Sequence, residues 1–151
     1  MSIKVDIRNQ GDTLHLTLTG KLDEHFDVQQ ITGASKGSRR VHMHMSAVRS
    51  ISSLGVRAFE TLLRALEKSG LAIELEEISA ATANQLSMIP TLLGSAKVLS
   101  AKLPFVCAAC GSEALGVVPY EAGAAALHPP DCAACGEQME LDGLAEEYLP
   151  H

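Results

Sequence analysis

The sequence predicts an α/β protein, a mixed β-sheet with helices on one side, followed by a small C-terminal module held by four cysteines. Three observations carry this. Segments with a period of two interleave with helical patterns. All 12 Lys+Arg fall in residues 1–106 with 10 of the 18 Asp+Glu, while residues 107–151 hold the other 8 acids, so the two parts carry +2 and −8. The only cysteines, 4 in 151 residues, form two Cys-x-x-Cys-Gly copies inside the acidic part. The shift in composition places a domain boundary near residues 102–106, dividing the chain into 1–104 and 105–151.

Each element has its own signal. IKVDI (3–7) and TLHLTLTG (13–20) alternate as half-buried strands, and Gln10, Gly11 and Asp12 between them read as a hairpin turn. The stretch from Lys21 to Ser35 reads as a loop and a short helix. RVHMHM (40–45) sets Val41, Met43 and Met45 on one face and His42 and His44 on the other. Phe59, Leu62, Leu63 and Leu66 recur at i, i+3, i+4, i+7, an amphipathic helix capped by Ser52 or Ser53 and stopped by Gly70. LAIELEE (71–77) follows as a strand with Leu71, Ile73 and Leu75 inward. SAATANQLSMIP reads as a second helix ending near Pro90. AKVLSAKLPFV is extended, with Val98 and Leu99 as anchors, and ALGVVPY (114–120) is a strand between the cysteine pairs. Alternation of strands and helices implies right-handed crossovers and a mixed sheet.

The two cysteine pairs point to a metal. Cys-x-x-Cys suits a knuckle turn that aims two thiolates at one ion, and the glycine after each pair allows φ > 0. Cys107 and Cys110 are separated from Cys132 and Cys135 by the 21 residues 111–131, just beyond the usual ~15–20 of four-cysteine zinc sites. The pattern resembles a zinc ribbon with structural Zn²⁺. An iron site of rubredoxin type uses similar knuckles. A redox Cys-x-x-Cys normally opens a helix, and Gly111 and Ser112 begin none. Catalytic zinc needs an open position, which four cysteines close.

Composition limits the partners. Nothing approaches 18 consecutive apolar residues, so no segment inserts in a membrane. The start, MSIKVDIRNQGD, lacks a signal-peptide apolar region, which makes the cytoplasm the expected compartment. A ribbon without Lys or Arg offers phosphates no cations, so nucleic acid is excluded and a basic protein surface is expected. No Gly-rich phosphate loop or Gly-x-Ser-x-Gly elbow is present, and His42 and His44 near Ser52 and Ser53 are the nearest thing to a catalytic set. The expectation is no enzyme.

VHMHMSAVRSISSLGVRAFETLL resembles the STAS domain, the fold of bacterial anti-sigma factor antagonists, in which a buried strand turns into a helix through an Asp-Ser-Ser-Gly-like motif. Ile51 takes the hydrophobic position before the motif, Ser52 the Asp position, Ser53 the phosphoacceptor and Gly55 the glycine. TGKLDEHF resembles the family's Gly-x-Leu-Asp stretch, with Asp23 on its acidic position. The likeness covers residues 3–104. His44 and Ser52 stand where the family often has acids. The resemblance implies a protein-binding surface at the helix and turn, here Asp23, Ser52, Ser53, Arg57 and Arg64, with an anti-sigma factor or related ATPase kinase as partner. A second copy of the chain is a further candidate partner. The primary reading is a non-catalytic regulatory or scaffolding protein. The alternative is a phospho-switched antagonist with Ser53 as acceptor for a histidine-kinase-like ATPase. A small-ligand binder or enzyme on the histidine face is the third reading and needs a pocket there. An acidic ribbon covering Ser53 favours the scaffold, and an open, basic-rimmed Ser53 favours the switch.

Overall fold

The computed structural model describes residues 3–150. β1 (Lys4–Gln10) and β2 (Thr13–Leu22) form the expected hairpin, turned by Gly11 at φ 64°. α1 (Val28–Ala34) follows, capped by Asp27, whose side chain accepts from the Gln30 amide. β3 (Arg40–Ile51) lies parallel to β2. α2 (Ser53–Lys68) crosses to β4 (Ala72–Glu76), which is parallel to β3.

Alternation along the strands separates the two faces of this sheet. Leu14, Leu16, Leu18, Val41, Met43, Met45, Ile73 and Leu75 are buried, and the helices cover them with Ile31, Phe59, Leu62, Leu63 and Leu66. The opposite face presents His15, Thr17, His42, His44, Glu74 and Glu76, all only partly buried or exposed. The mixed sheet with helices on one side is thus as the sequence predicts.

At Glu77 the chain leaves this sheet. Glu77 sits at φ 47°, a left-handed conformation uncommon for a residue with a Cβ, and its amide donates to Ser100 Oγ at 2.9 Å. The turn launches β5 (Ile78–Ser79) into a second sheet, and Ser79 caps α3 (Ala80–Met88) by accepting from the Thr82 amide. AKVLSAKLPFV, read as one extended segment, is divided between the two sheets. β6 (Lys97–Val98) pairs with β4, and β7 (Ser100–Val106) pairs with β5. Leu99 is the hinge of that division and is 37% exposed, so only Val98 of the two expected anchors is buried. β8 (Glu113–Pro119) runs antiparallel to β7 along its whole length, and β9 (Glu140–Leu141) pairs with β7 as well. Cys107, Val118, Cys132, Met139 and Leu149 join the same apolar core as the first sheet.

Candidate metal centre and the exposed start of α2

The two knuckles are built alike. Gly111 donates to the Cys107 carbonyl and Gly136 to the Cys132 carbonyl, each at 2.8 Å. The Cys107 amide donates to the Ser112 carbonyl, and the Cys132 amide to that of Glu137. Gly111 (φ 78°) and Gly136 (φ 81°) both adopt the left-handed conformation that closes these turns. β7 delivers the first knuckle and the segment before β9 the second. They meet with Cys107 Sγ 3.5 Å from Cys135 Sγ and Cys110 Sγ 3.6 Å from Cys132 Sγ. All four sulfurs lie within 4.8 Å of one another. Sulfurs at ~2.3 Å from a tetrahedral ion stand about 3.8 Å apart, so the cluster fits one metal ion.

The surroundings favour thiolate. The Ser112 hydroxyl and amide draw the Cys110 thiol down to about 6. Amides of Cys135 and Ala134 lower Cys132. Cys135 receives the Glu137 amide, which lowers it, yet the crowding thiols Cys107, Cys110 and Cys132 push it up to about 12. Four sulfurs so close cannot all ionise without a cation between them, and a divalent ion supplies that charge. Cys107 and Cys132 are buried; Cys110 and Cys135 lie at the surface.

The start of α2 is the second feature. Ser52, not Ser53, is the cap, its hydroxyl accepting from the Gly55 amide at 3.0 Å. The end of β2 passes directly beside it. Ser52 donates its amide to the Leu22 carbonyl, and Asp23 is therefore brought to the same corner, where its carboxylate accepts from the His25 amide. Ser53 and Arg57 are exposed one helical turn apart, and Leu54 between them is 51% exposed. Arg64 does not extend this row. It is tied to Glu67 and donates to the carbonyls of Thr91 (2.9 Å) and Leu92 (2.6 Å), a brace between α2 and the 3-10 turn Pro90–Leu92.

The acidic module packs elsewhere. Leu149 is 2% exposed, Asn84 of α3 donates to the Glu147 carbonyl, and Leu86, Tyr120 and Leu149 line one hollow. The module's docking on α3 leaves Ser53 open.

On the open sheet face, His42 and His44 line a hollow with His15, Arg8 and Glu76. His42 Nε2 and Glu76 Oε2 are 2.6 Å apart, and that hydrogen bond holds the Glu76 carboxyl below its ordinary range. Both His42 ring nitrogens face carboxylates, Glu74 at 3.7 Å and Glu76. The partners of His42 and His44 here are carboxylates, Glu74, Glu76 and Glu77, and the hollow over them is the pocket that a reading of this face as a ligand site requires.

No family model matches the chain, and no curated protein matches it. Among solved structures it is similar to a candidate anti-sigma factor antagonist from Thermotoga maritima, with TM-score 0.51 and 16% identity over 62% of this chain and 85% of that one. That likeness establishes the fold, a STAS-like mixed sheet with helices. A structure described as Mglu in its native form in 4.3 M NaCl matches at 19% identity over 47% of this chain and 25% of that one, with TM-score 0.35, and bears on nothing further.

Proposed function

We propose that the protein is a non-catalytic regulatory protein that binds a protein partner through the start of α2 and carries an acidic, zinc-stapled module on its other side. One observation carries the first part. Ser53, Leu54 and Arg57 form an exposed surface at a helix start, beside Asp23, and nothing in the described chain covers it. The amides of Ser53 and Leu54 stand at the first two helical positions, where no intrahelical acceptor exists. A polar, partly apolar surface with unpaired donors is suited to a partner's carbonyls or carboxylates. The structural likeness to an anti-sigma factor antagonist supports reading the partner as an anti-sigma factor or related ATPase.

The openness of Ser53 also favours a second reading, the phospho-switch. A phosphate on Ser53 adds about −1.5 to −2 charges at a positive helix end, one turn from Arg57. His44 and Ser52 stand where the family often keeps acids beside the modified serine, and that departure weighs against the switch and for the first reading. Binding of an identified partner to Leu54→Glu/Arg57→Glu, compared with the parent chain, tests the surface. Affinity falling at least ~100-fold, the scale of a central interface residue, is expected, and unchanged affinity overturns the proposal. Stoichiometric phosphate on Ser53 after incubation with that partner and ATP would establish the switch.

We propose zinc at Cys107, Cys110, Cys132 and Cys135 because four thiolates in two matched knuckles form a closed tetrahedral donor set. The ribbon, residues 105–151, is then structural. Thiolate ligands fit a reducing compartment, which supports reading the protein as cytoplasmic. No helix among the described residues is long and apolar enough to cross a membrane. Elemental analysis giving one zinc per chain is the expected result; iron, or no metal with four reactive thiols, overturns it.

A further inference from the structure

We propose that the free edge of β8 is a strand-addition site for an extended segment of another protein, alternating apolar and basic residues. This deepens the reading of the acidic module as a binding surface and is independent of the start of α2, so either can fail while the other stands.

β8 is the terminal strand of its sheet, with β7 on one side only. Among the described residues, no backbone or side-chain hydrogen bond outside the β7 ladder involves residues 113–119. Every other backbone N–H and C=O along one edge of seven residues is therefore presented to solvent. Edge strands are ordinarily blunted by lysines, a proline or a bulge within the strand, or a covering element. β8 has no lysine or bulge and no proline before Pro119, its last residue. Its pairing with β7 is unbroken, its one charge is Glu113 at the first position, and Pro130 packs near Gly116 at its middle. Its exposed side chains are the opposite of a guarded edge: Leu115 is 63% and Val117 54% exposed, on one face.

Charge selects the occupant. Residues 107–151 contain 8 carboxylates and no Lys or Arg. Glu113 on β8 and Asp142 beyond β9 flank an apolar hollow of ≈ 320 Å³ lined by Pro104, Phe105 and Leu115. A strand added beside β8 sets a side chain directly opposite Glu113, where a cation makes a favourable cross-strand pair. The methylenes of a Lys or Arg there lie across Leu115. Lys102, opposite Val117 on β7, and Arg49, which shares a hollow with Lys102 and Leu115, are the cations near this face. Lys102 lies on the far side of β8 from the free edge, and Glu113 and Asp142 are the charges at the other end of the strand. A second copy of the chain fits poorly, because β8-to-β8 pairing brings together two modules of −8 each. Main-chain hydrogen bonds supply affinity in this mode and the alternate side chains supply selectivity.

The test uses the full chain and three synthetic peptides. One alternates Lys with Val over seven residues, the second has Glu in place of Lys, and the third is the first with its alternate amides N-methylated on the pairing edge. The Lys peptide should bind, with amide shifts and slowed hydrogen exchange confined to residues 113–119. The Glu and N-methylated peptides should each bind at least about tenfold more weakly, a loss of ~1.4 kcal/mol. Leu115→Lys and Val117→Lys, both at exposed positions, should weaken the Lys peptide by a similar factor while all four cysteines remain protected from thiol reagents. Equal binding of the N-methylated peptide means simple charge attraction and overturns the proposal. So do equal binding of the Glu peptide, perturbation outside β8, or sedimentation showing a dimer that Val117→Lys dissolves.

Discussion

Gly55 holds the start of α2 against the end of β2, and no other residue fits there. A Cβ at this position would stand 1.9 Å from the Leu22 carbonyl oxygen and 3.0 Å from the Asp23 amide. Both are backbone atoms and neither can swing aside. Gly55→Ala must push α2 off β2, breaking the Ser52–Leu22 hydrogen bond as well. A loss of about 3 kcal/mol or more is expected in urea unfolding; a loss under ~1 kcal/mol would mean the corner is soft. Glu67 acts at the other end of the helix. The Ser95 hydroxyl and amide, then Arg64, lower its carboxyl from 4.5 to about 2. A depressed folded value stabilises the native state above pH 4.5, and that contribution is lost as pH falls from there toward 2. With its side chain 22% accessible, solvent screens part of the effect. Glu67→Gln should therefore be less stable at pH 6 and show a flatter stability profile between pH 4.5 and 2 than the parent chain. Parallel profiles for the two proteins would refute the assignment.

At the scale of elements, Ser52 and Ser53 separate two roles that adjacency confuses. Ser52→Ala removes the cap and should cost ~1 kcal/mol. Ser53→Ala removes no recorded bond from an exposed side chain and should stay within about 0.5 kcal/mol. Denaturant midpoints of the two variants decide this, and equal costs would show that the caps are shared. Substitutions at Ser53 then report on binding rather than stability. What made α2 legible in the sequence was its local pattern: Phe59, Leu62, Leu63 and Leu66 on one face, serine before it, Gly70 after it. The knuckles were legible for the same reason, since Cys-x-x-Cys-Gly encodes its turn within five residues. Long-range events left no such trace. β5 and β9 are two residues each and take their identity from β7 rather than from their own periodicity. The exit at Glu77 uses a left-handed turn without glycine, so no residue type announced it. The alternation through AKVLSAKLPFV makes Leu99 resemble an anchor, because nothing in that pattern marks the break between β6 and β7. Arg64 shares a helical face with Arg57, but the carbonyls it braces come from residues 91 and 92, which no spacing rule connects to it.

For the whole molecule, the question is how far the stabilisation from a metal at the four cysteines would reach. The first sheet and its helices hold most of the shared apolar core, with Leu14, Leu16, Met43, Met45, Phe59, Leu62 and Leu63 all at most 1% exposed. Most of residues 107–150 are exposed, and their buried side chains are few: Cys107, Val118, Tyr120, Cys132, Met139 and Leu149. On the zinc reading proposed above, a segment so thin in core relies on its ion, since structural zinc contributes ~10–16 kcal/mol in small modules. β7 spans the two regions. Near its start it is held by β5 at Ala101 and Lys102, and near its end by β9 at Phe105 and Val106. Removing the ion frees the second knuckle and β9 with it, so the loss of order should run back along β7 only as far as the β5 pairing. This is where we place the boundary between residues 1–104 and 105–151. Treating the protein with excess chelator should abolish hydrogen-exchange protection at Phe105 and Val106 and throughout β8. Protection should persist in β2, β3, α2 and at Ala101. The same pattern should appear in Cys132→Ser without chelator, because one missing thiolate opens the tetrahedron. Protection lost from β2 and β3 as well would show one cooperative unit stapled by the metal, and protection retained in β8 would show that the ribbon stands without it.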